Sequence, residues 1–132
     1  MLFRSCDKTE FYESFYIKEF FDELFSLLND KIGNGYATAI MFHLMRPNSK
    51  IYPHTDSISI PATINHRVHI PISTNKDIIF HNGNDSIHMK EGHIYLIDNT
   101  KIHSIKNNTK DTNRIHLVID WYTYESRKDL YT

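Results

Sequence analysis

With 132 residues, the chain is sized for a single domain spanning 1–132 that buries a real core but has no room for two independent ones. Lys+Arg 15 against Asp+Glu 16 leaves a net charge of -1, so no overall field draws in a phosphate backbone or an anionic membrane, and neither a large nucleic-acid interface nor a membrane partner is expected. The single cysteine, Cys6, excludes an intramolecular disulfide, and the absence of a signal-type or membrane-length apolar run points to a cytoplasmic protein.

The N-terminal third is patterned as helix. Phe11, Phe15, Ile17, Phe20, Phe21, Leu24, Phe25 and Leu28 recur at three- and four-residue steps, which predicts a helix over about 8–29. Asp7 is the expected N-cap and Glu10 completes a capping box. A Phe-rich stripe of this kind is read as a face packed on a sheet. Turn residues from Asn29 to Gly35 end the helix.

Beyond that point, short runs rich in Ile, Val, Tyr and Phe alternate with polar turns. Strands are predicted near 37–45, 50–56, 67–73, 77–82, 86–90, 93–98, 103–107 and 114–122. Asn82-Gly83-Asn84-Asp85 is a hairpin turn and Glu91-Gly92 a second turn. Close spacing of so many short strands predicts a mainly β fold, a double-stranded β-helix of jelly-roll or cupin-like type, forming a barrel over about 37–122 behind one N-terminal packing helix. The segment 57–66 is the one long connection, placed to act as a lip over a site.

Chemistry concentrates in a few positions. In a strand, His54 and Asp56 project from one face. With one histidine from a distant strand they make two imidazoles and a carboxylate, the facial set of non-haem Fe(II) oxygenases. His-x-Asp alone is weak, since nine histidines and sixteen acids in this length predict roughly one such pair by chance. Two arginines add context, because a dicarboxylate co-substrate needs a fixed guanidinium. Arg67 and His69 share one strand face and Arg114 and His116 another, while the apolar residues between them face away, the alternation of a wall with a polar interior.

These residues resemble the aspartyl/asparaginyl β-hydroxylases and related proline hydroxylases, from about Arg46 to Trp121. The segments that carry the resemblance are Pro53-His54-Thr55-Asp56, Arg67-Val68-His69-Ile70-Pro71-Ile72, Lys90 to His103 through Gly92 and Asp98, and Arg114 with Asp120-Trp121. The resemblance implies an Fe(II)- and 2-oxoglutarate-dependent dioxygenase that consumes O2 and releases succinate and CO2. It further implies that His54 and His103 bind iron, that Arg114 clamps the distal carboxylate of 2-oxoglutarate, and that Arg67 and His69 lie against the co-substrate. Asp56 stands where the animal protein-hydroxylating members carry a small residue, which completes the metal set and sets this chain apart from their substrate.

The expected substrate is an Asp, Asn or Pro side chain in a peptide, with a free amino acid as the alternative. A non-catalytic cupin-like module and a zinc hydrolase are the rival classes. His43, His66, His81, His88, His93 and His116 are read as solvent-facing or hydrogen-bonded sheet residues, His116 being the nearest to an exception because it shares a face with Arg114. Asp98 is read either as a brace for the metal set or as a turn cap, and Trp121 as packing. Frequent Ile, Lys, Asn, Phe and Tyr indicate an AT-rich genome, viral or bacterial.

Overall fold

The computed structural model describes residues 15–56 and 60–131. Helix α1 (Phe15–Lys31) is followed by β1 (Gly35–Met45), β2 (Ser49–His54), β3 (Asn65–Ser73), β4 (Ile78–Asn82), β5 (Asp85–Ile87), β6 (Tyr95–Ile97), β7 (His103–Asn107) and β8 (Arg114–Thr123), with a short 3-10 helix over Lys128–Tyr131. The expected cap at Asp7 and Glu10, Phe11, and the first residues of the 57–66 lip lie outside the described residues. No helix among the described residues is long and apolar enough to cross a membrane.

Strand pairing is nested and antiparallel: β1 with β8, β2 with β7, β3 with β6, β4 with β5. Further pairing of β3 with β8 and β4 with β7 joins these hairpin-like pairs into two sheets, β1-β8-β3-β6 and β2-β7-β4-β5. This is jelly-roll topology, as the strand spacing predicted. The barrel is an open one: no strand pairing links the two sheets among the described residues. One expectation needs correction at β2, which stops at His54 and leaves Asp56 in the following coil.

Two cores follow from strand alternation. Val68, Leu117, Ile119 and Trp121 face outward from the first sheet and meet Phe21, Leu24, Leu28 and Ile32 at the helix. Met45, Ile78, Phe80, Met89, Ile97 and Ile105 fill one end of the space between the sheets. As the central strand, β8 is covered on both faces, so Leu117, Val118 and Ile119 are fully buried in succession. Phe20 departs from the helical stripe: it is 47% exposed and meets Phe21 edge-on at 5.1 Å.

The C-terminal turn is tied down by a buried imidazole. His66 lies 2.8 Å from the Tyr131 hydroxyl through Nδ1 and 3.0 Å from Thr123 Oγ1 through Nε2. Thr123 donates its hydroxyl proton to the Glu125 carbonyl, so His66 Nε2 is the donor to Thr123, and Nδ1 accepts from Tyr131. Burial, with Arg127 nearby, pushes the His66 pKa down to about 4.

Leu28→Ala is expected to cost about 2–5 kcal/mol in urea unfolding, and Phe20→Ala under about 1 kcal/mol. The unfolded chain binds a proton at His66 below its ordinary value of 6.5, whereas the folded chain does so only near 4. Stability from this group is therefore complete above about pH 6.5 and declines as pH falls towards 4, a slope that His66→Gln should flatten in pH-dependent denaturation.

Candidate metal centre

The register of β2 on β7 sets two histidines side by side. Ile51 opposes Ile105 and His54 opposes His103, so β2 holds one extra residue between the two pairs. That bulge brings His54, in place of Pro53, opposite His103 on the inner face. The imidazole centroids are 4.3 Å apart.

Both rings are oriented by the same local bond. His54 Nδ1 lies 2.8 Å from the Tyr52 carbonyl oxygen and His103 Nδ1 2.9 Å from that of Lys101. A carbonyl oxygen only accepts, so each Nδ1 carries a proton and each Nε2 is turned inward, the nitrogen that bears the lone pair when the ring is a metal ligand. These Nε2 atoms lie 3.5 Å and 3.6 Å from Asp56 Oδ1. One ligand atom from each of the three residues falls within 4.8 Å of the others. A cation at the centre of these three ligand atoms would be held by all of them. Two imidazoles and a carboxylate suit Fe(II) or a similar divalent ion with positions left open.

Asp56 is braced from three directions. Its amide donates to the Asn99 carbonyl at 3.1 Å, and its Oδ2 accepts from Arg67 Nη1 at 2.6 Å and from Asn99 Nδ2 at 3.2 Å. Arg67 is itself held by Asp120, which accepts from Nε at 2.8 Å and from Nη2 at 2.9 Å. The Asp120 hydrogen bond raises the Arg67 pKa, so the guanidinium stays charged. One carboxylate oxygen of Asp56 thus serves the brace and the other faces the imidazoles. His54 is exposed and His103 buried, so the centre opens on the His54 side.

Deeper in the same interior lies a second polar group. Arg114 is 2% exposed, and among the described residues its guanidinium makes a single hydrogen bond, from Nη2 to His116 Nδ1 at 2.9 Å, with no carboxylate within ion-pair distance. Burial lowers its pKa to about 10. Arg114 only donates, so His116 Nδ1 is an acceptor and its proton sits on Nε2, which is buried without a partner. His69 Nδ1 lies 3.3 Å from the same His116 nitrogen. Burial first, then Arg114, takes the His116 pKa down to about 3, and burial holds His69 well below its usual value, so both rings are neutral. His69 stands 5.7 Å from the Phe80 ring, and Phe80 stacks 6.1 Å from His103, which connects this cluster to the metal set.

The structure therefore brings His54, Asp56 and His103 together, sets Arg67 on Asp56, and groups His69 with Arg114 and His116. Of the remaining histidines, His81, His88 and His93 make local surface bonds to Ser86, Ile78 and Glu91. Asp98 caps its own turn through the Thr100 amide and hydroxyl. Two site residues were not singled out by the sequence, Asn99 and Asp120. Both fall in segments that carry the family resemblance, and Asp120 is also in phase with Arg114 and His116 on β8, but neither is assigned a role from sequence.

The family profile described as aspartyl/asparaginyl beta-hydroxylase matches residues 18–123, from α1 to the end of β8. No curated protein matches the chain in sequence.

Because Lys keeps the charge of Arg67 but loses its fork, Arg67→Lys should weaken Mn(II) or Co(II) binding by about 10–100-fold, and Asn99→Ala should do the same. Titration of the metal-free protein with circular dichroism as a control for folding checks both; an unchanged affinity in Arg67→Lys would show that Asp56 needs no such brace.

Proposed function

We propose that this chain, which belongs to the aspartyl/asparaginyl beta-hydroxylase family, is an Fe(II)- and 2-oxoglutarate-dependent dioxygenase that hydroxylates an amino-acid side chain of the Asp, Asn or Pro type in a peptide. The observation that carries the reading is Arg114: a buried guanidinium with, among the described residues, one neutral partner and no counter-charge. A desolvated cation of that kind is strongly unfavourable without an anion, and removal of such a charge from water is tolerated where a ligand supplies the missing carboxylate. Its guanidinium folds along β8 onto His116, towards the end of the strand where Asp120 and Arg67 meet the metal set.

His54, Asp56 and His103 would hold the iron, and Arg114 would receive the distal carboxylate of 2-oxoglutarate. The bound metal supplies oxygen activation coupled to oxidative decarboxylation, so that one oxygen atom of O2 enters succinate as CO2 leaves and the other becomes the product hydroxyl. The protein's own part is positional. Tyr52 and Lys101 carbonyls fix the two rings in the ligand tautomer, Arg67 and Asn99 hold Asp56 by the oxygen that faces away from them, and Phe80 closes the floor against water. The neutral pair His69 and His116 surrounds Arg114 without adding charge, leaving its positive charge for the co-substrate. Two N–H groups of Arg67 not used by Asp56 or Asp120 remain for the keto-acid end, with His69 beside it.

Anaerobic addition of Fe(II) and then 2-oxoglutarate is expected to produce a weak visible charge-transfer band that Asp56→Ala abolishes. Arg114→Ala should raise the half-saturating 2-oxoglutarate concentration by about 100-fold, read from the same band. No band in the intact protein would overturn the assignment of iron and co-substrate. A peptide and amino-acid screen by mass spectrometry, seeking a gain of one oxygen only when iron, O2 and 2-oxoglutarate are all supplied, identifies the substrate.

A further inference from the structure

Each of the two sheets has two edges, and three of the four are protected. At the free side of the first sheet β6 is three residues long, and in the second sheet β5 is equally short and begins at Asp85. β2, the remaining edge of the second sheet, contains Lys50 and Pro53. Short length, Lys and Pro are the usual devices that keep an edge from pairing with another chain. β1 has none of them. It runs for 11 residues, Gly-Tyr-Ala-Thr-Ala-Ile-Met-Phe-His-Leu-Met, without a Lys, Arg, Asp, Glu or Pro. No strand among the described residues pairs with its outer edge.

The register of β1 on β8 narrows the segment that is free to pair. It shifts between Ala37 and Ala39, then runs without interruption from Ala39 to Met45. Phe42 is the midpoint of that stretch. An antiparallel copy laid along it about a two-fold axis at Phe42 therefore sets Phe42 against Phe42, Ile40 against Leu44 and Met41 against His43, with every pair reciprocated. Ile40, Phe42 and Leu44 lie on the helix side of the sheet, in line with Ile119, Leu117 and Ile115, yet α1 does not cover them: Phe42 is 65% and Leu44 57% exposed. A two-fold axis places each residue close to its own copy, so a strand that self-pairs must carry no charge near the axis. This strand meets that condition over its whole length.

We infer that β1 is a self-association edge, and that two copies of the chain pair antiparallel through Ala39–Met45 to make one continuous eight-stranded sheet. The outer faces of the two strands then form a single apolar ridge of Ile40, Phe42 and Leu44 from each copy, with cross-strand aromatic and aliphatic pairs of the kind that stabilise sheets. On the inner face, His43 lies in the electrostatic surroundings of Arg67, Arg114, Asp120 and Asp56. Its pairing with Met41 of the second copy brings the dimer seam to the border of the polar interior.

Sedimentation velocity of the full chain over a range of concentrations tests this. The expected species has twice the 15.6 kDa mass of the chain. Phe42→Lys and Phe42→Glu should each raise the dimer dissociation constant at least about 100-fold by opposing like charges at the axis, and mixing the two variants should restore a dimer through the opposite pair. Both substitutions are at an exposed side chain, so unchanged circular dichroism and Mn(II) affinity are expected and separate loss of pairing from loss of fold. In a Cys6→Ser background, Phe42→Cys should form a disulfide between copies under mild oxidation, because directly opposed strand residues lie within disulfide range. A monomer at all concentrations, or a dimer that survives Phe42→Lys, overturns the inference. None of these readouts depends on iron or 2-oxoglutarate, so the result is independent of the proposed reaction.

Discussion

The centre of this molecule is organised by one electrostatic staple, the chain of contacts from Asp56 through Arg67 to Asp120. Asp56 follows β2 and belongs to the second sheet, whereas Arg67 and Asp120 face each other on β3 and β8 of the first. Among the described residues no strand pairing joins the sheets, so the space between them depends on side chains. At one end that space is filled by Met45, Ile78, Phe80 and Ile105. At the other a guanidinium spans it, bonded on both sides to carboxylates through three of its five N–H groups. The ligand oxygen of Asp56 faces the imidazoles because the other oxygen is taken by this staple.

The opposite end of the sandwich is sealed by a different device. Asn107, almost fully buried at the end of β7, donates to the carbonyls of Met45, Arg46 and Thr112 and accepts from the Thr109 amide and hydroxyl. One side chain thereby satisfies the backbone of two turns, the β1–β2 and the β7–β8 connections. His103 begins the same short strand that Asn107 ends, so β7 runs from the reactive end to the closed end in five residues. The chain gains a rigid floor without additional length, which suits a domain of this size.

Much of this was legible in the sequence, and the limits have physical causes. β-branched and aromatic runs between turn residues located all eight strands, and the in-phase Arg-x-His patterns of β3 and β8 located the polar interior because alternation across a strand is strictly local. Partners across strands are another matter. Asp120 meets Arg67 through a register that joins residues far apart in sequence, and nothing in the neighbourhood of either announces it. Asn99 acts through its carbonyl as well as its amide, a role open to any turn residue until the loop geometry is known. Phe20 fits the helical period yet stays exposed, because the period describes the helix and not the width of the sheet beneath it.

The extra residue of β2 between the Ile51 and His54 pairs has a consequence of a different kind. Opposed residues in an antiparallel ladder share a face, so without the bulge Pro53 would stand opposite His103 and His54 would turn away from the interior. The metal set is thus written into the chain as a residue count as much as a choice of side chains. A slip of β2 by one residue against β7 at this point would leave every histidine, aspartate and arginine in the sequence and yet turn His54 out of the interior. Register is therefore a requirement for the centre that comparison of ligand identities alone does not reveal.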